Sequence, residues 1–393
     1  MKLLIGTDAH LYKSPDNRYY CDSVETYAFW KRYLEVFDSI RLVARVKEVE
    51  KVPSKYKRAD GLGVEIWEIP FYQGPFQLAK QLIDIEKRLK GCYEGCNCAL
   101  YRMPSQTAQL VLAKKPINMP YAGEVVYCPR DDVVGQPWGI KKIINIIISN
   151  QLKRFTKKAN GVSYVTESII QKYYPCRALS GDNHDQYFTS HYSSITLNDD
   201  YYLKPRHKGN DIYTISISDA AMNSERKGEK TVLKTIQLLR RSGYNVRGTI
   251  IGDGIKLKEF KEYANELGIF EHVDFTGLIT NPLELRKILV ESDFYMLPTR
   301  GEGLPRGILE AMALGLPVLS TNVGGISEVI SEELLFAPDD AEGFAKGISK
   351  MIDDVQKRKI IAEENYNKAL EFRNDFLQKR RNDFYRKLAL LAD

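Results

Sequence analysis

Short apolar runs alternate with longer amphipathic stretches along most of the chain. In the first half, runs at 2–6, 39–43, 64–69, 99–102, 121–127 and 162–166 have the length of buried strands. Stretches at 24–37, 75–90, 105–112 and 138–158 carry helical periodicity. This alternation predicts a parallel sheet with helices on both faces. Residues 189–210 are polar and tyrosine-rich without clear periodicity, and a linker is expected there. The pattern then restarts, with strands predicted at 212–217, 246–251, 273–275, 294–297, 317–320 and 334–336, each followed by a helical stretch. The fold class is therefore α/β, with two Rossmann-like domains at 1–200 and 201–370 and a long charged helix in the remaining segment, 371–393.

Composition narrows this picture. At 393 residues and 44% hydrophobic, the chain is long enough for two cores. It opens on a first strand and not on a signal peptide, so a cytoplasmic location is expected. The richest apolar run, 143–148, is interrupted by Asn145 and falls far short of the roughly 18 to 20 residues that span a bilayer. The six cysteines are expected as free thiols. Only Cys92, Cys96 and Cys98 cluster, and no second Cys/His pair has the spacing of a zinc site, so no metal is assigned. A net charge of +6 with no nucleic-acid module points to anionic substrates or an anionic membrane surface, not to nucleic acid.

The chemistry concentrates in Pro298-Thr-Arg-Gly-Glu-Gly-Leu-Pro-Arg-Gly-Ile-Leu-Glu310, where a strand leads through a glycine loop into a helix predicted at 305–314. Leu304 is a poor N-cap, which leaves the first-turn amides and the helix dipole free to meet an anion such as a diphosphate. Glu302 lies in the loop. Glu310 sits inside the helix, roughly 7 Å further along at about 1.5 Å per residue, so the two carboxylates can grip hydroxyls on either side of a phosphate. In open parallel sheets ligands sit beyond the carboxyl ends of the strands, and Gly252, Gly254, Gly277, Gly301, Gly303, Gly324 and Gly325 all follow predicted strand ends. Gly252-Asp253-Gly254 lacks the third glycine of a dinucleotide fingerprint and reads as a tight turn.

On these residues the chain resembles the retaining GT-B glycosyltransferases with a Glu-x(7)-Glu motif, the group 1 or family four type. Glu302 and Glu310 carry the resemblance, with Ala311-Met-Ala-Leu-Gly-Leu-Pro-Val318, Val323-Gly-Gly-Ile-Ser-Glu328, Ile251-Gly-Asp-Gly254 and Val273-Asp-Phe-Thr-Gly277. These motifs cover about residues 210–340. The first half matches more loosely, through Arg32-Tyr-Leu-Glu-Val-Phe-Asp38, Gly123-Glu-Val-Val126 and Val162-Ser-Tyr-Val-Thr166, and is similar to a capsule or exopolysaccharide branch.

The resemblance implies a GT-B fold, with donor on the second domain, acceptor on the first, and a last helix crossing back to the first. It implies transfer of a sugar, with retention, from a nucleotide sugar such as a UDP- or GDP-sugar to a saccharide or lipid-linked saccharide acceptor, in surface polysaccharide synthesis. No cofactor and no metal are implied. Glu310 is then the ribose ligand, Glu302 contacts the donor sugar near the reacting centre, and Lys227 is the phosphate-binding lysine. Gly252, Gly303 and Leu304 border the donor, and Gly277 and Leu278 seat the base. The arginine that usually precedes that lysine by five or six residues is missing, since Met222 and Ala221 stand there. Either Arg226 or a residue of the other domain replaces it, or lysine and helix amides act alone.

In the first half, His10 follows the first strand, where acceptor loops lie, and Glu124, Asp131 and Asp132 flank a region that in relatives approaches the reacting sugar. The stretch 138–158 is rich in isoleucine and lysine. It suits either an amphipathic helix lying on an anionic bilayer or a core helix with a solvated basic end. Two rival functions are a sugar-nucleotide epimerase or hydrolase on the same fold and a non-catalytic two-lobed binding protein.

Overall fold

The computed structural model describes residues 1–134, 138–181, 185–206 and 211–392. The first nine strands form one sheet: β1 Lys2–Lys13, β2 Tyr19–Cys21, β3 Ser39–Glu48, β4 Lys57–Arg58, β5 Val64–Pro70, β6 Cys98–Met103, β7 Tyr121–Val125, β8 Gly161–Tyr164 and β9 Phe188–His191. Its parallel body runs β5-β3-β1-β6-β7-β8-β9, and β2 and β4 add antiparallel to the far end of β1. The helices of this half are α1 Tyr27–Trp30, α2 Gly74–Arg88, α3 Gln106–Leu112, α4 Pro129–Val134, α5 Ile140–Thr156 and α6 Ile169–Tyr173.

The second sheet is wholly parallel, in the order β12-β11-β10-β13-β14-β15. Its strands are β10 Tyr213–Ser218, β11 Val246–Ile251, β12 Val273–Gly277, β13 Phe294–Leu297, β14 Val318–Thr321 and β15 Leu335–Phe336. The helices that follow are α7 Glu229–Arg241, α8 Leu257–Glu266, α9 Pro282–Val290, α10 Arg306–Ala313, α11 Ala341–Asp353, α12 Val355–Ala369 and α13 Asn374–Leu390. Strands covered on both faces need continuous apolar runs, and Phe294–Leu297 and Leu3 to Ile5 are buried without a break. All six cysteines are free thiols.

Three elements differ from expectation. The helix at 24–37 shrinks to Tyr27–Trp30 and then continues as separate turns, several of them closed by i to i−3 bonds such as Tyr33 N–H to Trp30 and Leu34 N–H to Lys31. Its aromatic residues are held one locally and one from afar: the Trp30 indole donates to the Glu25 carbonyl five residues before it, and the Tyr33 hydroxyl to Glu124 of β7. The linker begins later than residue 189, because β9 pairs with β8 as a strand of the first sheet. Strands β1 and β3 outrun their predicted ends, and a register shift between Gly6 and His10 lets both continue to residues 13 and 48.

Helix α13 lies against the first half of the chain. Arg381 donates to the carbonyls of Ser193 and Ile195, Gln378 to that of Arg32, and the Tyr385 hydroxyl to Glu124. Between the two sheets, the Glu328 carboxylate accepts the amides of Glu167, Ser168 and Ile169 at 2.6, 2.7 and 2.7 Å and so caps α6. Lys57 donates to the Thr280 carbonyl at 2.9 Å, a further contact across the cleft.

Candidate active site

The loop after β13 is tied to its neighbours before it can hold anything else. Ser320 donates to the Leu297 carbonyl at 2.7 Å and Thr321 to that of Thr299 at 2.6 Å. Helix α10 starts one residue later than the sequence suggests, with Pro305 as its N-cap and no capping side chain. Pro305 offers no side-chain acceptor, so the first-turn amides of α10 stay uncapped. Leu304 is itself buried, which leaves only its backbone to border a ligand.

The loop after β10 reaches this one because of a glycine. Gly228 has φ +87°, and a β-carbon there would stand 2.4 Å from the Pro298 carbonyl oxygen. Contact at that range carries Lys227 to Glu302, and the two form an ion pair with side chains 21% and 12% exposed. Arg226 lies next to it, its guanidinium 5.4 Å from the Tyr127 ring, and its carbonyl accepts the Arg300 amide at 2.9 Å. Glu310 is half-buried on α10. Burial pushes its carboxyl above the ordinary glutamate range, against the opposing charge of Arg306. Tyr201 and Tyr295 both feel its charge, and the Tyr201 hydroxyl is buried without a hydrogen-bond partner.

Gly252 and Gly277 meet as an isolated bridge, the Gly252 amide donating to the Gly277 carbonyl at 2.9 Å. A β-carbon on Gly252 would lie 1.7 Å from the Asp219 carbonyl oxygen, so this glycine is required by chain crossing irrespective of any ligand. Leu278, half-buried, follows Gly277 at the same edge.

Two acids of the first domain are placed differently from expectation. Glu124 is not open to the cleft: it is buried and accepts from Tyr33, Tyr192, Tyr385 and Arg102, at 2.9, 3.1, 2.6 and 2.6 Å. With four donors it ties α13 to β7 and its carboxylate is committed to the protein's own groups. Asp131 uses its carboxylate across the cleft, accepting the Gly324 amide at 2.8 Å. Gly303 packs in the same seam, where a β-carbon would meet the Val126 carbonyl at 2.3 Å. His10 stands on the extended end of β1, its ring 5.4 Å from Phe71 and its Nε2 buried without a partner. Burial and then the charge of Arg45 lower its pKa, with Asp8 and Asp22 opposing, so the imidazole is neutral at pH 7.

The sequence did not signal Tyr127 or Glu229. Tyr127 ends the β7 run beside the Gly301 loop, where a β-carbon on Gly301 would come within 2.9 Å of its hydroxyl. Glu229 opens α7 directly behind Lys227 and is fully buried. Among the described residues no cluster of three or more His, Cys, Asp or Glu side chains is placed to hold a metal ion.

Residues 215–354 match the model of a family described as glycosyl transferases group 1. Protein CapJ of Staphylococcus aureus is 28% identical over 368 residues, which are 93% of this chain and 90% of that protein. The amylovoran biosynthesis glycosyltransferase AmsK of Erwinia amylovora is 27% identical over 175 residues, 40% of this chain and 43% of that one. Among solved structures, the sucrose-phosphate synthase of Thermosynechococcus elongatus superposes with a TM-score of 0.71 at 15% identity, covering 99% of both chains. Anabaena HepE in complex with UDP gives 0.66 at 16% identity, covering 96% of this chain and 98% of that one. The fold is GT-B, and residues 215–354 are similar in sequence to the group 1 glycosyl transferases.

Proposed function

We propose that this protein is a glycosyltransferase that moves a sugar from a nucleotide-sugar donor to a saccharide or lipid-linked saccharide acceptor, with retention of configuration, in the synthesis of a surface polysaccharide. One observation carries the proposal. Lys227 and Glu302 are paired beside the uncapped start of α10, with Glu310 half-buried within that helix. A nucleoside diphosphate fits that arrangement, with phosphate oxygens at Lys227 and the amides and ribose at Glu310. Support for a nucleotide-sugar donor comes from HepE, solved with UDP and with UDP-glucose, and support for polysaccharide synthesis from AmsK, named for amylovoran biosynthesis.

In this reading donor and diphosphate change partners at one point. Before donor binds, Glu302 neutralises Lys227. When the diphosphate arrives, Lys227 turns to it, and Glu302 is left facing the donor sugar. As the glycosidic bond breaks, negative charge grows on the leaving diphosphate, where the lysine and the amides are already oriented to stabilise it. Those groups supply the positive charge, so the reaction proceeds without a metal.

The test is a panel of UDP- and GDP-sugars incubated with saccharide and lipid-linked acceptors, with and without EDTA. Transfer from one donor, unchanged by EDTA, is expected. Loss of turnover in EDTA, restored by magnesium or manganese, contradicts the metal-free reading. Sugar release at the same rate with and without acceptor contradicts transfer.

A further inference from the structure

The isoleucine stretch of the first domain does not face a core. Ile140, Ile143, Ile144 and Ile147 follow the i, i+3, i+4, i+7 spacing of one helical face and are 78%, 51%, 37% and 51% exposed. Trp138, 80% exposed, precedes them, and Val134 at the end of α4 is exposed as well. The other side of α5 is where the helix is held. Leu152 and Thr156 are buried there and Ser149 meets the Tyr174 hydroxyl at 2.9 Å, whereas further along the stripe's own side Gln151 meets Gln106 of α3 at 3.2 Å and Phe155 is buried, so the exposed stripe is confined to the first turns of the helix. A stripe of this kind on a folded chain marks a contact surface.

Charge selects the partner. Residues 140–158 contain Lys141, Lys142, Lys153, Arg154, Lys157 and Lys158 and no Asp or Glu. Arg154, exposed, falls on the same side as the stripe, seven residues beyond Ile147. A second copy docking through this face by a twofold axis would set one cationic cluster against its twin. An apolar stripe ended by a tryptophan and flanked by lysines fits the headgroup boundary of an anionic bilayer, where the isoleucines enter the acyl region and the cations meet lipid phosphates. None of the described helices is long and apolar enough to cross a membrane, so the contact lies in the plane of the surface.

We infer that α5 with Trp138 docks this protein on an anionic membrane surface. Helix α5 belongs to the same domain as α4, whose Asp131 accepts the Gly324 amide across the cleft. Such docking deepens the proposed function and rests on it in one respect: a surface-bound enzyme meets an acceptor carried on lipid.

Flotation with vesicles tests it. Wild type is expected to float with phosphatidylcholine vesicles containing about one-third phosphatidylglycerol and to stay down with pure phosphatidylcholine or at high salt. Ile143→Asp/Ile147→Asp should lower the bound fraction about tenfold or more, with unchanged melting temperature. Lys141→Ala/Arg154→Ala should lower it too, and serves alone if the first variant misfolds. Equal flotation of variants and wild type, no flotation at all, or flotation on neutral vesicles insensitive to salt overturns the inference. So does a wild-type dimer that the isoleucine variant converts to monomer. Donor turnover without vesicles, measured on the same proteins, reports separately on the glycosyltransferase reading.

Discussion

Glu229 is the residue whose chemistry is furthest from its sequence position. An acid at the first position of a helix ordinarily sits in solvent and favours the dipole. Here the side chain is fully buried. Burial first, and then the charge of Asp219, push its pKa from 4.5 to about 8, against its own backbone amide and Lys227. It therefore holds a proton at neutral pH. The unfolded chain releases that proton near the ordinary value while the folded chain keeps it. Its contribution to stability is then full below about pH 4.5, falls on the order of 1.4 kcal/mol per pH unit, and is lost above about pH 8. Glu229→Gln, which cannot ionise, should remove this slope. Denaturant unfolding of both proteins from pH 5 to 9 checks it: the variant should gain on wild type by a few kcal/mol, about 2 to 5, by pH 8. Parallel pH profiles contradict the assignment. Nothing local in the sequence marks Glu229, since its burial depends on how β10 and α7 pack.

At the scale of elements, what could be read in advance follows from where partners lie. Buried parallel strands are continuous apolar runs, so β11 and β13 have their expected ends. Elements shaped by distant partners were illegible. Glu124 reads as a loop acid at a strand end, yet its hydroxyl donors include Tyr385, 261 residues away. Tyr33, beyond the end of the short α1, is held by a bond of the same kind to Glu124. The Lys227 and Glu302 pair, 75 residues apart, was assigned as two independent groups for the same reason. Glu328 shows what such a partner does for an element. It caps the five-residue α6 from the other domain, satisfying three amides that the short helix cannot. Glu328→Ala leaves them to water and cuts a cross-cleft tie, and should cost about 1 to 3 kcal/mol in denaturant unfolding. A loss below about 0.3 kcal/mol would show that the cap is replaced by solvent at no cost.

For the whole molecule, the site is a seam between two lobes, closed by glycine contacts and carboxylate-to-amide bonds such as Asp131 to Gly324. The two glutamates on its donor side have different surroundings, and the account stands on their having different work. Glu302 is paired with Lys227, a lysine for which the diphosphate would compete in the proposed reaction. Glu310, half-buried on α10, is the proposed ribose ligand. Calorimetric titration of Glu302→Ala and Glu310→Ala with the nucleoside diphosphate of the cognate donor, beside steady-state rates, tests this division most directly. Glu310→Ala should bind the nucleotide about tenfold or more weakly, since a charge-assisted hydrogen bond to ribose is lost. Glu302→Ala should bind it as well as wild type or more tightly, because Lys227 no longer has a competing carboxylate, while kcat falls. Loss of nucleotide affinity in Glu302→Ala as severe as in Glu310→Ala would contradict the account.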